Sequence, residues 1–367
     1  ITHNSLLTFL ISAALIFNIS DPIITLYTTI GLSSFFYLFV IIYSIYINAS
    51  VNINLIYFYL FIVSYFILIT LFSIETSVPF RVLNLFIWSL FLISVGALKD
   101  RFNPLNTLKL FVFCSFFVVI FFLISGDYSY NRLSYSEETN PTWLAYQLVI
   151  LICALFFLPY TFRIKWLISS PFIIALILTQ GKTALLGLIA SYLCVYVLRS
   201  KHKLTIASCL VLLVSGIFIL LESYLTESEY FIWYGNLFSG SLDVILSGRL
   251  GIWKESLIAY YGNYLFVPIG PLSAMEALDL SNGAHNIFLT LTYEIGFYFT
   301  IAYIAFFIFL VFYSNSKFIS AAPATLALYL FTSGIGNDVF YYKYFWLGLT
   351  VLYLLMISDE KNRKKYS

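Results

Sequence analysis

What most constrains this chain is a near-unbroken succession of apolar runs, each close to the length of a membrane crossing. A helix needs about 20 apolar residues to cross a bilayer. Within lipid only helices and closed barrels satisfy their own backbone hydrogen bonds. The runs fall at roughly 5–19, 22–47, 53–73, 79–98, 107–125, 143–160, 165–180, 182–198, 204–222, 286–313, 322–341 and 343–358. They predict an all-α integral membrane protein with about 12 transmembrane helices. The shallowest divisions are those between the first two runs and between the last two. The seventh and eighth runs are short and meet at Gln180-Gly181-Lys182, which reads as a tight reversal at one membrane face. The first run lacks a basic flank and a small-residue cleavage pattern, so it reads as a membrane helix rather than a cleaved signal peptide. The sequence opens at Ile1 without a Met, which reads as an initiator or short leader removed.

Composition excludes the soluble alternatives. Charged residues are 10% of the chain and hydrophobic ones 61%, whereas a soluble domain is about 25% charged. A cytosolic enzyme, a secreted domain and a nucleic-acid binder are therefore poor readings. Where the charges lie matters more than their formal sum of +2. Lys99, Arg101, Lys109, Arg163, Lys165, Arg199, Lys201, Lys203, Lys317, Lys361, Arg363, Lys364 and Lys365 fall on one side when spans are counted in order. Basic loops face the cytoplasm, so that side and both termini are expected there. The other side holds Arg81, Arg132, Lys182, Arg249, Lys254 and Lys343, with most of the acids. Cys114, Cys153, Cys194 and Cys209 each sit inside an apolar run and read as small buried hydrophobes, without disulfide or metal.

The expected layout is transmembrane helices one to nine over 1–222, a large periplasmic loop over 223–285, three further spans over 286–358 and a solvated cytoplasmic tail over 359–367. A loop of that length in so compact a membrane protein is usually functional. Within it Leu250, Trp253, Leu257, Ile258 and Tyr261 recur at a spacing of three to four. That spacing predicts an amphipathic helix at about 248–261, lying in the interface plane.

Few polar residues can do chemistry on the outer face. Of the three histidines, only His285 stands at the outer mouth of a span, directly before Asn286. Arg249 opens the amphipathic helix, and Lys182 sits at the outer turn between spans seven and eight. Two cations and an imidazole at an outer interface suit a lipid diphosphate. Arg offers a fork to phosphate oxygens and Lys a point charge. Both offset charge on a departing diphosphate, and an imidazole can orient or deprotonate an attacking hydroxyl. Taken singly, each has a plainer reading: a snorkelling anchor for the cations and a helix cap for the His-Asn pair.

Three stretches carry a family resemblance. Ser247-Gly248-Arg249-Leu250-Gly251-Ile252-Trp253 resembles the S-G-R-x-x-x-W stretch of the bacterial O-antigen polymerase and ligase superfamily. Ala284-His285-Asn286-Ile287-Phe288-Leu289, followed by Glu294-Ile295-Gly296, is similar to its H-N-x-x-L-x-x-x-x-E-x-G stretch. Thr179-Gln180-Gly181-Lys182-Thr183-Ala184-Leu185-Leu186 resembles its T-x-S-R-x-A-L-L stretch, with Lys182 where the family usually has Arg. Arg132 with Asn140-Pro141, and Arg81, are weaker echoes. The resemblance implies a GT-C-type membrane glycosyltransferase in the bacterial inner membrane with its site facing the periplasm. It further implies a glycan on undecaprenyl diphosphate as donor and acceptor, no cofactor, and a chain-length regulator and a flippase as partners in the same membrane. Carried over, Arg249 and Lys182 bind the diphosphate, and His285 activates or positions the acceptor hydroxyl. The expected chemistry is a single displacement with inversion. Arg81, Arg132, Asn286 and Asp338 are expected to contact diphosphate or glycan, and Trp253 to support the site.

Glu294 lies nine residues beyond His285. On a regular helix that separation points the two side chains to opposite faces, so Glu294 is expected to brace its span and Gly296 to permit close packing. A metal is not expected. The outer histidine lacks an HxxxH or His-Cys partner, there is no D-x-D, and Glu227-Ser228-Glu229 reads as solvated loop. No P-loop or G-x-G-x-x-G is present. The leading expectation is a polymerase of surface-polysaccharide repeat units. The alternatives are the ligase that moves finished glycan to lipid A-core, and a flippase or transporter. Transporters tend to carry internal repeats and ionisable groups near mid-membrane, whereas these charges lie at span ends.

Overall fold

The computed structural model describes residues 3–24, 32–47, 78–128, 132–134, 141–201, 249–263, 285–336 and 342–366. Among them the chain is helical, with an isolated bridge between Asp127 and Ser134. In order the helices are α1 His3–Ile24, α2 Leu32–Tyr46, α3 Val78–Ala97, α4 Pro104–Ser125, α5 Pro141–Phe157 and α6 Phe162–Leu178. They continue with α7 Lys182–Arg199, α8 Arg249–Asn263, α9 Ile287–Glu294, α10 Phe297–Lys317, α11 Ala322–Ser333 and α12 Lys343–Tyr366. A 3-10 turn, Gly334–Gly336, follows α11. The expected third and ninth spans, most of the outer loop, Cys209 and Asp338 lie outside the described residues.

Three helices, α4, α7 and α10, are long and apolar enough to cross a membrane, and α1, α2, α3, α5 and α11 contain shorter apolar stretches. Their outer faces explain the composition. On α4 the buried Leu108, Phe111, Val112, Val119 and Phe122 face the bundle, while Phe113, Phe117, Phe121 and Ile124 form an exposed stripe. A helix apolar on both its buried and its exposed faces has lipid as its natural surroundings.

The axis of the bundle is α5. All residues from Leu144 to Leu155 are buried, because α4, α6, α7, α11 and α12 pack around them. Two interior amides join helices: the Gln147 amide donates to Asn18 O at 3.4 Å, and the Asn18 amide donates to the Tyr37 hydroxyl, linking α1, α2 and α5.

The structure departs from the sequence reading at four places. Helix α1 continues through Asp21-Pro22 to Ile24, across the shallow division between the first two runs. The expected tenth span, 286–313, is two helices, because Gly296 adopts φ 112° and ends the first. The backbone conformation there is one that favours glycine. The expected solvated end, 359–367, continues α12 to Tyr366, with Glu360, Lys361, Asn362 and Arg363 exposed. Asp359 is buried and accepts from Ile319 N at 2.9 Å and Ser320 N at 3.4 Å. Finally, Cys153 is buried and Cys114 partly so, but Cys194 is exposed on α7.

One end of the bundle gathers the basic loops. Arg199 donates to Asn315 Oδ1 at 3.0 Å and to the carbonyls of Phe318, Ile319 and Ser320 at 3.1, 2.7 and 2.8 Å. Lys361 donates to Lys99 O at 2.6 Å, and Asn103 N donates to Thr8 Oγ1 at 3.4 Å. The start of α1, the α3–α4 turn, the end of α7, the α10–α11 turn and the end of α12 therefore meet there. The opposite ends of α3, α5, α7 and α12 are all helix N-termini, which carry partial positive charge.

Candidate functional site

That second end holds the cations singled out from sequence. The α6–α7 reversal is three residues, Thr179 to Gly181, with Gln180 at φ 49°. Gly181 has φ −76° and ψ 78°, and Lys182 N donates to Gln180 O at 3.0 Å, the geometry of an inverse γ-turn. Thr179 Oγ1 donates to Leu176 O at 2.7 Å and accepts from Gly181 N at 3.3 Å. The turn therefore closes on itself, and Lys182 starts α7 at a fixed place.

Arg132 is brought to the same turn from the α4–α5 connection. Its Nε donates to Thr179 O at 2.9 Å, and the adjacent Leu133 N donates to Leu178 O at 2.9 Å. The returning strand is held by the paired backbone bonds of Asp127 and Ser134, 3.3 and 2.9 Å. Gly126 makes this possible: a Cβ there would lie 2.4 Å from Phe122 O and 2.7 Å from Leu133 Cδ1.

Arg249 arrives on α8, the helix expected at 248–261 and observed at Arg249–Asn263. The charges acting on the Lys182 ammonium are those of Arg249 and Arg132. Three cations separated by up to 117 positions in sequence thus form one electrostatic group around a partly buried lysine. Like charges gathered in this way repel, and an anion seated among them removes the penalty. Trp253 stands one turn after Arg249, on the same side of α8, and is partly buried. Along the apolar stripe of α8, Leu250 and Trp253 are partly buried, while Leu257 and Ile258 are 39% and 63% exposed.

Helix α8 packs against α9, so the helix that Arg249 opens and the helix that follows His285 are neighbours. Asn286 is the N-cap of α9, its Oδ1 accepting from Phe288 N at 3.0 Å and Leu289 N at 3.3 Å. That oxygen is engaged in the cap. His285 stands just outside the helix at φ 47°. Among the described residues, Gln180 and His285 are the non-glycine residues with positive φ. Each lies inside a stretch singled out from sequence, and strained backbone tends to collect at functional sites.

Glu294 is buried at the end of α9. The helical-wheel argument that set it opposite His285 does not apply, because His285 precedes the helix. Arg81 lies in the first turn of α3, at the end remote from Lys99 and hence on the side of Lys182. Asp338 lies outside the described residues. Sequence reasoning named Thr179 and Gly181 only as parts of a turn and a motif and passed over Ala145; together the three build the seat for Lys182 and Arg132. Their signal is a tight turn of small residues, legible only once the turn is known to meet α5. Among the described residues no group of His, Cys, Asp and Glu could hold a metal ion. No protein-family model matches the chain, and no curated protein matches it.

Proposed function

We propose that the protein is a membrane glycosyltransferase that polymerises O-antigen or related surface-polysaccharide repeat units carried on undecaprenyl diphosphate. The observation that carries this reading is the grouping of Arg132, Lys182 and Arg249 around one point at a single end of an apolar bundle. A lipid-borne diphosphate fits that setting: its charge faces the cations and helix N-termini, and its tail lies along apolar helices. The expected resemblance to the O-antigen polymerase and ligase superfamily supplies the glycan and the direction of transfer.

In this reading Arg249, Lys182 and Arg132 bind the donor diphosphate and offset the charge that develops as its bond to the anomeric carbon breaks. His285, at the mouth of α9, takes the proton of the acceptor hydroxyl or orients it for attack from the opposite face. The bond from that hydroxyl oxygen to the anomeric carbon forms as the diphosphate leaves, which inverts the centre. The site faces the periplasm across the bacterial inner membrane, and both termini are cytoplasmic.

Cells whose only copy carries His285→Ala or Arg249→Ala are expected to show lipid A-core with a single repeat unit on a gel of their surface polysaccharide. A full ladder of chain lengths from either variant contradicts the assignment. Core bearing no repeat at all marks the protein as the ligase instead.

A further inference from the structure

We propose that Gly181 is a positioning residue: having no side chain, it lets the α6–α7 turn sit against Ala145 at the depth that brings Lys182 and Arg132 onto one diphosphate. This rests on the diphosphate reading above and adds how the site is set. A Cβ at residue 181 would lie 2.7 Å from Ala145 Cβ, with Thr179 Oγ1 at 3.4 Å and Ala184 Cβ at 3.7 Å. Carbon atoms in ordinary contact stand about 3.5–4.0 Å apart, so one side must retreat. Ala145 has no rotamer to change, and it is fully buried in the most enclosed helix of the bundle. The turn is the side that moves.

What moves with the turn is most of the cation group. Lys182 is covalently next, and its backbone N–H is part of the γ-turn. Arg132 hangs from the turn through Thr179 O, and its neighbour Leu133 through Leu178 O. Arg249 comes from a different element, α8. Displacing the turn outward therefore pulls two cations away from the third. The dihedral angles at Gly181, φ −76° and ψ 78°, are open to any residue. The requirement for glycine is thus one of space, and it can be reversed from the other wall.

The test is calorimetric titration of the purified full chain, in detergent, with inorganic diphosphate. Lys182→Ala serves as the reference for loss of a cation. Gly181→Ala is expected to weaken binding at least about tenfold, the worth of one charge-assisted hydrogen bond. Gly181→Ala combined with Ala145→Gly is expected to recover most of that loss. Ala145→Val, which fills the same gap from α5, is expected to weaken binding as Gly181→Ala does and covers the case in which Gly181→Ala does not fold. Wild-type binding by Gly181→Ala or by Ala145→Val overturns the inference, as does a double variant no better than Gly181→Ala. If Lys182→Ala also binds as the wild type does, the diphosphate reading itself has failed. If Lys182→Ala loses binding and Gly181→Ala keeps it, the positioning role alone has failed.

Discussion

Lys182 shows how little of a site a single residue reveals. In sequence it is one lysine at the end of an apolar run, indistinguishable from a snorkelling anchor. In the fold it is partly buried, and the charges of Arg249 and Arg132 act on it. A structural anchor gains nothing from that company, but an anion-binding group does. The account predicts that Lys182→Met abolishes chain extension, measured as the polysaccharide ladder of complemented cells. Lys182→Arg should retain it, since a guanidinium keeps the charge and adds a second phosphate contact. A normal ladder from Lys182→Met would remove this lysine from the site. Arg132 was the weaker expectation and gains the firmer anchorage. Its bond to Thr179 O joins residues 47 apart, which no local pattern records. The left-handed conformations of Gln180 and His285 were equally hidden, because neither residue type demands them.

At the level of elements, periodicity was a good guide where a helix has two unlike faces and a poor one where it does not. The spacing of Leu250, Trp253, Leu257 and Ile258 located α8 to within a residue or two of its observed ends. It did not identify the covered face: Ser256 is buried while Ile258 is exposed. The turn at 179–181 was legible because Gln-Gly-Lys interrupts an otherwise apolar stretch. The break between α9 and α10 was not, since Glu294-Ile295-Gly296 sits within a run long enough to read as one span. Its cause is conformational. Gly296, at φ 112° and ψ 154°, occupies a region essentially closed to residues with a side chain, and its N–H donates to Leu291 O at 2.9 Å. Gly296→Ala is therefore predicted to cost about 1–3 kcal/mol. The purified variant should melt at a lower temperature than the wild type in the same detergent. An unchanged melting temperature would show that the α9–α10 corner relaxes without strain.

The whole molecule is polarised. Arg199, Asp359 and Lys361 lock the α10–α11 turn and the α3–α4 turn together at one end. Arg132 and Lys182 sit at the opposite end of α6 and α7, about 27 Å away along the 18 residues of α7. In sequence the charge bias of the loops had set Lys99, Arg199 and Lys361 on one side and Arg132 and Lys182 on the other. What the bias could not give is convergence within one end, which depends on α5 standing at the centre with Ala145 against Gly181. The central claim is that these cations hold a lipid-borne diphosphate while its glycan is transferred. Its most direct test uses the purified protein in vesicles with one defined repeat unit on undecaprenyl diphosphate, reading free undecaprenyl diphosphate and glycan length together. The account predicts that the wild type releases the lipid diphosphate as glycans lengthen, and that Arg249→Ala does neither. Repeat units that stay joined to their lipid in the presence of active wild-type protein, or that merely cross the bilayer intact, would contradict it.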